Sequence, residues 1–230
     1  MKKQPRETKT GTEKRKRILL VDDHPMTRHG VSHLLNREPD LKVCGEVENA
    51  QLALATVKTL KPDLVLTDLT MPGKSGLDFL KDMTVLHPGV PVLVLSMHDE
   101  SIYAERVLRA GAHGYLMKSE GGDKLIGAVR QVLQGGIYVS SGVSANLLNL
   151  LTGRATRQSD ATMTRLTDRE LEVFQLIGQG LSTSDIGKRL HISGKTVETH
   201  RIHLKEKLKL KTRSELATHA IRWAVANQLI

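Results

Sequence analysis

The 230-residue chain has a single cysteine, and no apolar run approaches the roughly 20 residues needed to span a bilayer. The lone Cys44 rules out an internal disulfide and leaves no cysteine partners for a structural zinc site, which suits a reducing compartment. The opening segment MKKQPRETKTGTEKRKR is basic like the start of a secretory leader, but the apolar stretch behind it, Ile18 to Val21, stops at two aspartates. The expectation is a soluble, cytoplasmic protein with no membrane partner. The hydrophobic share of 39% is ordinary, and the length allows two domains, each with a core of its own.

The net charge of +9 is unevenly spread. Residues 1–17 carry eight Lys and Arg against two acids, residues 18–140 carry 12 against 15, residues 141–165 three against one, and residues 166–230 11 against seven. The long middle segment is thus mildly acidic, while the tail, the linker and the C-terminal end are positive, as a nucleic-acid partner would require.

From Arg17 five short apolar runs, RILLVDD, LKVCGEV, DLVLTDL, PVLVLSM and HGYLMK, alternate with stretches of helical period. Runs such as ILLV and VLVL are apolar at consecutive positions, as in parallel strands covered on both faces. The expected fold is a doubly wound α/β domain with a five-stranded parallel sheet. Its helices are expected near Thr27 to Leu35, Gln51 to Leu60, Gly76 to Leu86, Tyr103 to Ala110 and Gly122 to Leu133, with Gly135-Gly136 closing the last. A linker follows, with one short helix at Val143 to Leu151, and then a small all-α domain with helices near 168–178, 182–190, 194–208 and 213–226. The boundaries expected are a tail over 1–16, an α/β domain over 17–138, a linker over 139–162 and a helical domain over 163–230.

In an open parallel sheet, functional groups gather at the carboxyl ends of the strands. That rule brings Asp22 and Asp23, Asp68, Ser96, Tyr115 and Lys118 to one rim, each directly after an apolar run. Three carboxylates together repel one another, and a hard divalent cation such as Mg²⁺ or a neighbouring ammonium relieves them. An acyl phosphate on a protein needs a carboxylate nucleophile, a metal on one oxygen, a cation on another and a hydroxyl on the third. Asp68, Mg²⁺, Lys118 and Ser96 can supply those parts, so the cluster reads as a phosphoryl-transfer site.

The order DD, D-L-T-M-P-G, S and Y-L-M-K resembles the receiver domain family, with its flavodoxin- and CheY-like fold, over about residues 17–138. By that resemblance Asp68 is the phosphoacceptor, Asp22 and Asp23 hold Mg²⁺ together with Asp68 and the backbone carbonyl of Thr70, Lys118 and Ser96 contact the phosphoryl group, and Tyr115 is the aromatic switch. Ser119 follows Lys118 where many receivers have proline. His24, His29 and His33 are crowded, with His29 and His33 on one face at i, i+4, a possible zinc spacing; they are read as a solvated helix face, and Cys44 as a small buried apolar residue.

At the C-terminal end two helices flank the short turn L-H-I-S-G, and the second is the more cationic. Thr167 or Asp168, Ser182 or Thr183, and Ser193 are candidate N-caps. Val197, Leu204 and Leu208 form an inward stripe, leaving an outward face that can enter a major groove. Glu198 on that helix would repel phosphate unless it accepts from a cytosine amino group or pairs with a neighbouring cation. The pattern L-T-x-R-E-x-E-V, then G-x-S-x-x-D-I-G-x-x-L and K-T-V-E-T-H, resembles the LuxR-type domain of NarL/FixJ-class response regulators over about residues 163–228.

The resemblance implies that Lys195, Thr196, Thr199, His200, Ile202, His203 and Lys205 face double-stranded DNA at paired half-sites. It also implies that Ser214, Ala217, Ile221 and Val225 support a homodimer. Its other implications are a sensor histidine kinase as phosphoryl donor and a transcription factor rather than an enzyme. A phosphatase using Asp68 would need a second acid nearby; the haloacid-dehalogenase-like pattern puts that acid two residues on, where Thr70 stands, and adds a cap domain for which this chain has no segment. A further rival is a constitutive DNA-binding protein whose α/β domain serves only as a dimer or protein-binding module and is never phosphorylated.

Overall fold

In a computed structural model, the structure describes residues 15–71, 74–152 and 163–226. The N-terminal domain alternates β1 (Lys16–Val21), α1 (Pro25–Asn36), β2 (Leu41–Val47), α2 (Ala50–Leu60), β3 (Leu64–Thr67), α3 (Gly76–Leu86), β4 (Val92–Ser96), α4 (Glu100–Arg109), β5 (Gly114–Met117) and α5 (Gly122–Leu133). The strands form one parallel sheet in the order β2-β1-β3-β4-β5. The reversal of direction in that order, between β1 and β3, is the switch point where the strand-end loops part and leave a crevice.

Alternate residues of the strands serve opposite faces. Ile18, Leu20, Leu64, Leu66, Leu93, Leu95 and Leu116 pack with Leu35 of α1 and Leu125, Val129 and Val132 of α5. Leu19, Val21, Val65, Val92, Val94 and Tyr115 face the other way, against α2, α3 and α4. This two-sided burial explains why the strands read as unbroken apolar runs.

Beyond the sheet, Tyr138 bridges to Gly114, and α6 (Ser141–Leu151) packs on α4. The C-terminal domain comprises α7 (Asp168–Gly178), α8 (Thr183–Leu190), α9 (Gly194–Leu208) and α10 (Arg213–Ala226). Thr167 caps α7 through a capping box with Glu170, Ser182 caps α8, and Ser193 caps α9. Val197 and Leu204 are fully buried and Leu208 is nearly so, as the inward stripe requires. Two glycines permit close crossings here. A Cβ on Gly178 would lie 2.6 Å from the Ala220 carbonyl oxygen of α10, and one on Gly187 would lie 2.9 Å from that of Ile192 in the turn before α9.

The helix starts differ slightly from the sequence expectation. The first begins two residues early because Pro25, with its fixed φ and missing N–H, suits the first helical position after His24. The fourth begins three residues early because the Asp99 carboxylate caps it by accepting from Ser101 N.

The apolar cluster on the α3 and α4 side continues into the C-terminal domain through Met163, Leu166, Leu171 and Phe174. Polar contacts reinforce it. The Arg106 guanidinium donates to the carbonyl oxygens of Met163 at 2.8 Å and Leu166 at 2.7 Å, and pairs with Asp168 at 3.0 Å. Lys81 reaches the same carboxylate at 3.2 Å, and the Gln175 amide donates to the Tyr103 hydroxyl.

Candidate functional site: an acidic strand-end pocket and an exposed basic helix

Asp22 and Asp23 follow β1, Asp68 follows β3, Ser96 ends β4, and Lys118 opens a 3-10 turn (Lys118–Glu120) directly after β5. The parallel sheet places them on one rim, and the structure brings Asp22, Asp68 and Lys118 into contact. Lys118 Nζ donates to Asp22 Oδ2 and Asp68 Oδ2, both at 2.7 Å. Asp68 is 5% exposed, and its Oδ1 accepts from the backbone N–H of Leu69 at 2.6 Å and of Thr70 at 3.3 Å. Burial pushes the Asp68 carboxyl above its ordinary pKa, with Lys118 opposing it. For Lys118 the balance runs the other way: burial favours the neutral amine, but Asp68 and Asp22 outweigh it and hold the ammonium charged.

Ser96 is fully buried, and its hydroxyl accepts from the His98 N–H at 3.2 Å. Tyr115 is buried beneath the same loop, with its hydroxyl donating to the His98 carbonyl at 2.7 Å. Burial holds the phenol far above its ordinary pKa. Thr70 is present through its side chain as well, since its Oγ1 lies 2.7 Å from His98 Nε2. Pro72 and Gly73 of the strand-three motif lie outside the described residues.

His98 escaped the sequence reading, which groups His24 with His29 and His33 as a solvated face rather than a metal site. His24 Nδ1 lies 2.8 Å from Asp23 Oδ1 and 3.2 Å from Asp22 Oδ1, and Asp22, Asp23, His24 and Asp68 together form a group able to hold a metal ion. Asp23 Oδ1 is buried and has no hydrogen-bond partner, as an oxygen reserved for a cation would be. The pocket therefore fits a divalent ion. His98, two residues past Ser96, stacks on Tyr103 with ring centroids 4.8 Å apart, and burial lowers its pKa to about 4. The only sequence signal for His24 and His98 at this site was position, directly after an aspartate pair and directly after β4. His29 and His33 are exposed and outside the metal-capable group, and Cys44 is only half-buried because it lies on the edge strand β2.

A cleft of about 450 Å³ separates this rim from the C-terminal domain, lined on one side by Asp23, Thr70 and His98 and on the other by Asp168, Glu172 and Lys188. On α9, Lys195, Thr196, Thr199, Ile202 and His203 are exposed, while His200 and Lys205 are half-buried. The receiver-like domain thus grips α7 and leaves the outward face of α9 open. Glu198 is tied inward: its Oε1 accepts from the Thr183 hydroxyl at 2.7 Å and lies 3.4 Å from Arg213 and 3.7 Å from Arg201. On α10, Ser214 is exposed, Ala217 half-buried, and Ile221 and Val225 are 43% and 58% exposed, forming an apolar stripe at helical spacing.

Residues 18–130 match the family described as the response regulator receiver domain, and residues 164–220 match the luxR family of bacterial regulatory proteins. The chain is 35% identical over 218 residues to the transcriptional regulatory protein DegU of Brevibacillus brevis, covering 89% of this chain and 92% of that one. It is 38% identical over 203 residues to the nitrate/nitrite response regulator protein NarL of Escherichia coli, covering 87% and 92% respectively. Among solved structures, a LuxR-family two-component response regulator from Aurantimonas aligns with a TM-score of 0.56 at 31% identity, covering 60% of this chain and 99% of that one. RcsB from Salmonella enterica, bound to a promoter in the presence of a phosphomimetic, aligns with a TM-score of 0.68 over 90% of this chain and 98% of that one; at 24% identity this likeness bears on the fold. The relatives are transcriptional regulators, and among the described residues no helix is long and apolar enough to cross a membrane. With a strand-end acidic pocket in one domain and an exposed basic helix in the other, the chain belongs to the NarL/FixJ family of response regulators, transcription factors that join a receiver to a LuxR-type DNA-binding domain.

Proposed function

We propose that a sensor histidine kinase phosphorylates Asp68, and that the modified receiver controls dimerisation and DNA binding by the C-terminal domain, in the cytoplasm and without catalysis of an external reaction. The observation that carries this reading is Lys118 Nζ set 2.7 Å from both Asp22 and Asp68 at the mouth of a buried carboxylate pocket. An Asp68 oxygen attacks phosphorus as the P–N bond to the donor histidine breaks, and the imidazole leaves with the electron pair. Mg²⁺ held by Asp22, Asp23, Asp68 and the Thr70 carbonyl supplies charge neutralisation for the incoming phosphoryl group. Lys118 leaves its carboxylate partners for one phosphoryl oxygen, and the Ser96 hydroxyl turns from His98 N–H to another.

That turn loosens the β4–α4 loop. Tyr115 is bonded to the His98 carbonyl, His98 stacks on Tyr103, and Tyr103 accepts from Gln175 of α7, so the loop is one contact chain away from the DNA-binding domain. Phosphorylation acts as a population shift between placements of that domain. In the dimer, α10 pairs through Ser214, Ala217, Ile221 and Val225, and α9 presents Lys195, Thr196, Thr199, His200, Ile202, His203 and Lys205 to the half-sites. The division proposed is tail 1–16, receiver 17–138, linker 139–162 and DNA-binding domain 163–230.

The test is incubation of the full chain with Mg²⁺ and acetyl phosphate, followed by intact mass and oligomeric state beside Asp68→Ala. The expected result is a gain of one phosphoryl group that requires Asp68, with a shift toward dimer. Absence of an adduct would favour a receiver that works without phosphorylation.

A further inference from the structure

The cation pocket contains a nitrogen donor. His24 Nδ1 stands 2.8 Å from Asp23 Oδ1 and 3.2 Å from Asp22 Oδ1, yet Asp23 Oδ1 makes no hydrogen bond. The same ring nitrogen hydrogen-bonds Asp22 Oδ1, so it lies between the two carboxylates. Adjacent ligands of an octahedral ion with bonds of about 2.1 Å lie roughly 3.0 Å apart, which is the spacing observed. The ligand atoms of Asp22, Asp23, His24 and Asp68 all lie within 4.8 Å of one another, close enough to serve one ion. Of the neighbouring oxygens, Asp22 Oδ2 and Asp68 Oδ2 are engaged by Lys118, Asp22 Oδ1 by the His24 backbone N–H and ring nitrogen, and Asp68 Oδ1 by Leu69 N–H and Thr70 N–H. Asp23 Oδ1, buried and without a hydrogen bond, is in contact with His24 Nδ1.

We propose that His24 contributes its imidazole nitrogen to the receiver's divalent cation and so shifts the site's preference from Mg²⁺ toward first-row transition ions. All-oxygen sites suit Mg²⁺, whereas an imidazole ligand raises affinity for transition ions along the Mn²⁺ to Ni²⁺ series. His24 is well placed for this. It is the N-cap residue of α1 in extended backbone conformation, and its side chain is 64% exposed, so the ring reorients at little packing cost. The inference rests on the acidic pocket being the cation site.

The experiment loads the full chain with one equivalent of Mn²⁺ and records pulsed electron paramagnetic resonance, with natural-abundance and ¹⁵N-histidine protein and with His24→Asn. Calorimetric affinities for Co²⁺ and Mg²⁺ are measured on the same proteins and on Asp23→Asn. The expected result is nitrogen coupling that changes with the isotope and vanishes in His24→Asn, with the Co²⁺ to Mg²⁺ affinity ratio falling about tenfold or more. Cation binding that depends on Asp23 but lacks nitrogen coupling, with an unchanged ratio in His24→Asn, would overturn the role of His24 alone. Binding that ignores Asp23→Asn would overturn the cation site as well. The isotope comparison needs no substitution, so it stands even if a variant fails to fold.

Discussion

At the scale of single residues, two buried carboxylates behave oppositely because of what surrounds them. Asp68 is pushed up by burial, whereas Glu170 is held below its ordinary value of 4.5: burial alone would raise it, but Lys207 and the Thr167 hydroxyl and N–H outweigh burial. Lys207 Nζ is 2.6 Å from Glu170 Oε2, and the Thr167 N–H donates to the same oxygen at 2.7 Å. Glu170→Gln should cost about 2 kcal/mol of C-terminal-domain stability at pH 7, read by urea unfolding. A depressed carboxyl stabilises the fold above its unfolded value and loses that contribution as pH falls through its folded value. The gap between wild type and Glu170→Gln should therefore be full at pH 6 and close below about 4.5, and a gap that widened on acidification would refute the assignment. Lys118→Ala should abolish the phosphoryl adduct, because nothing else described on the rim supplies an ammonium between Asp22 and Asp68.

At the scale of elements, the helix-turn-helix rests on side-chain caps. Ser193 accepts from Thr196 N–H at 3.1 Å at the start of α9. Ser193→Ala should lower thermal stability by about 1 kcal/mol and fray the turn that enters the groove, visible as faster amide exchange over 194–197. Along α9, Lys195→Ala should reduce the slope of log affinity against log salt by about one, while Ile202→Ala should weaken binding with no change of slope. Equal salt slopes for all three proteins would mean that Lys195 makes no phosphate contact. Most of these elements were legible in the sequence, since α3, α5, α7, α9 and α10 begin and end where period and caps put them. Glu198 was not, because its partners Thr183 and Arg213 lie on other helices. Arg201 was not either: it is 6% exposed in the inward half of α9, where charge alone would place it outside.

At the scale of the whole molecule, the contact between domains among the described residues is made by α3 and α4 with α7 and the turn before it, and not by the recognition helix. Arg106 is 12% exposed in its pair with Asp168, which is 35% exposed. Arg106→Ala leaves two carbonyls without this donor and Asp168 with Lys81 as its cation, and should weaken the domain contact by about 2 kcal/mol. The measurable outcome is a larger radius of gyration in small-angle scattering and faster amide exchange in α4 and α7 of the unphosphorylated protein. An unchanged radius would mean that the apolar contacts through Leu166 and Phe174 suffice to hold the domains together.

The sequence by itself determined the two fold classes, the strand-end residues Asp22, Asp23, Asp68, Ser96 and Lys118, and the capped helices of the C-terminal domain. These follow from local physics: unbroken apolar runs make two-sided strands, a parallel sheet carries its chemistry at one rim, and Ser or Thr before a periodic stretch starts a helix. Only the tertiary structure decided that His24 faces the carboxylates, that His98 links Thr70 to Tyr103, and that Arg106 and Gln175 join the domains. Arg106 and Asp168 are 62 residues apart in the chain, and Tyr103 and Gln175 are 72 apart. No periodicity or cap encodes such a separation; the folding of α4 and α7 against one another creates it.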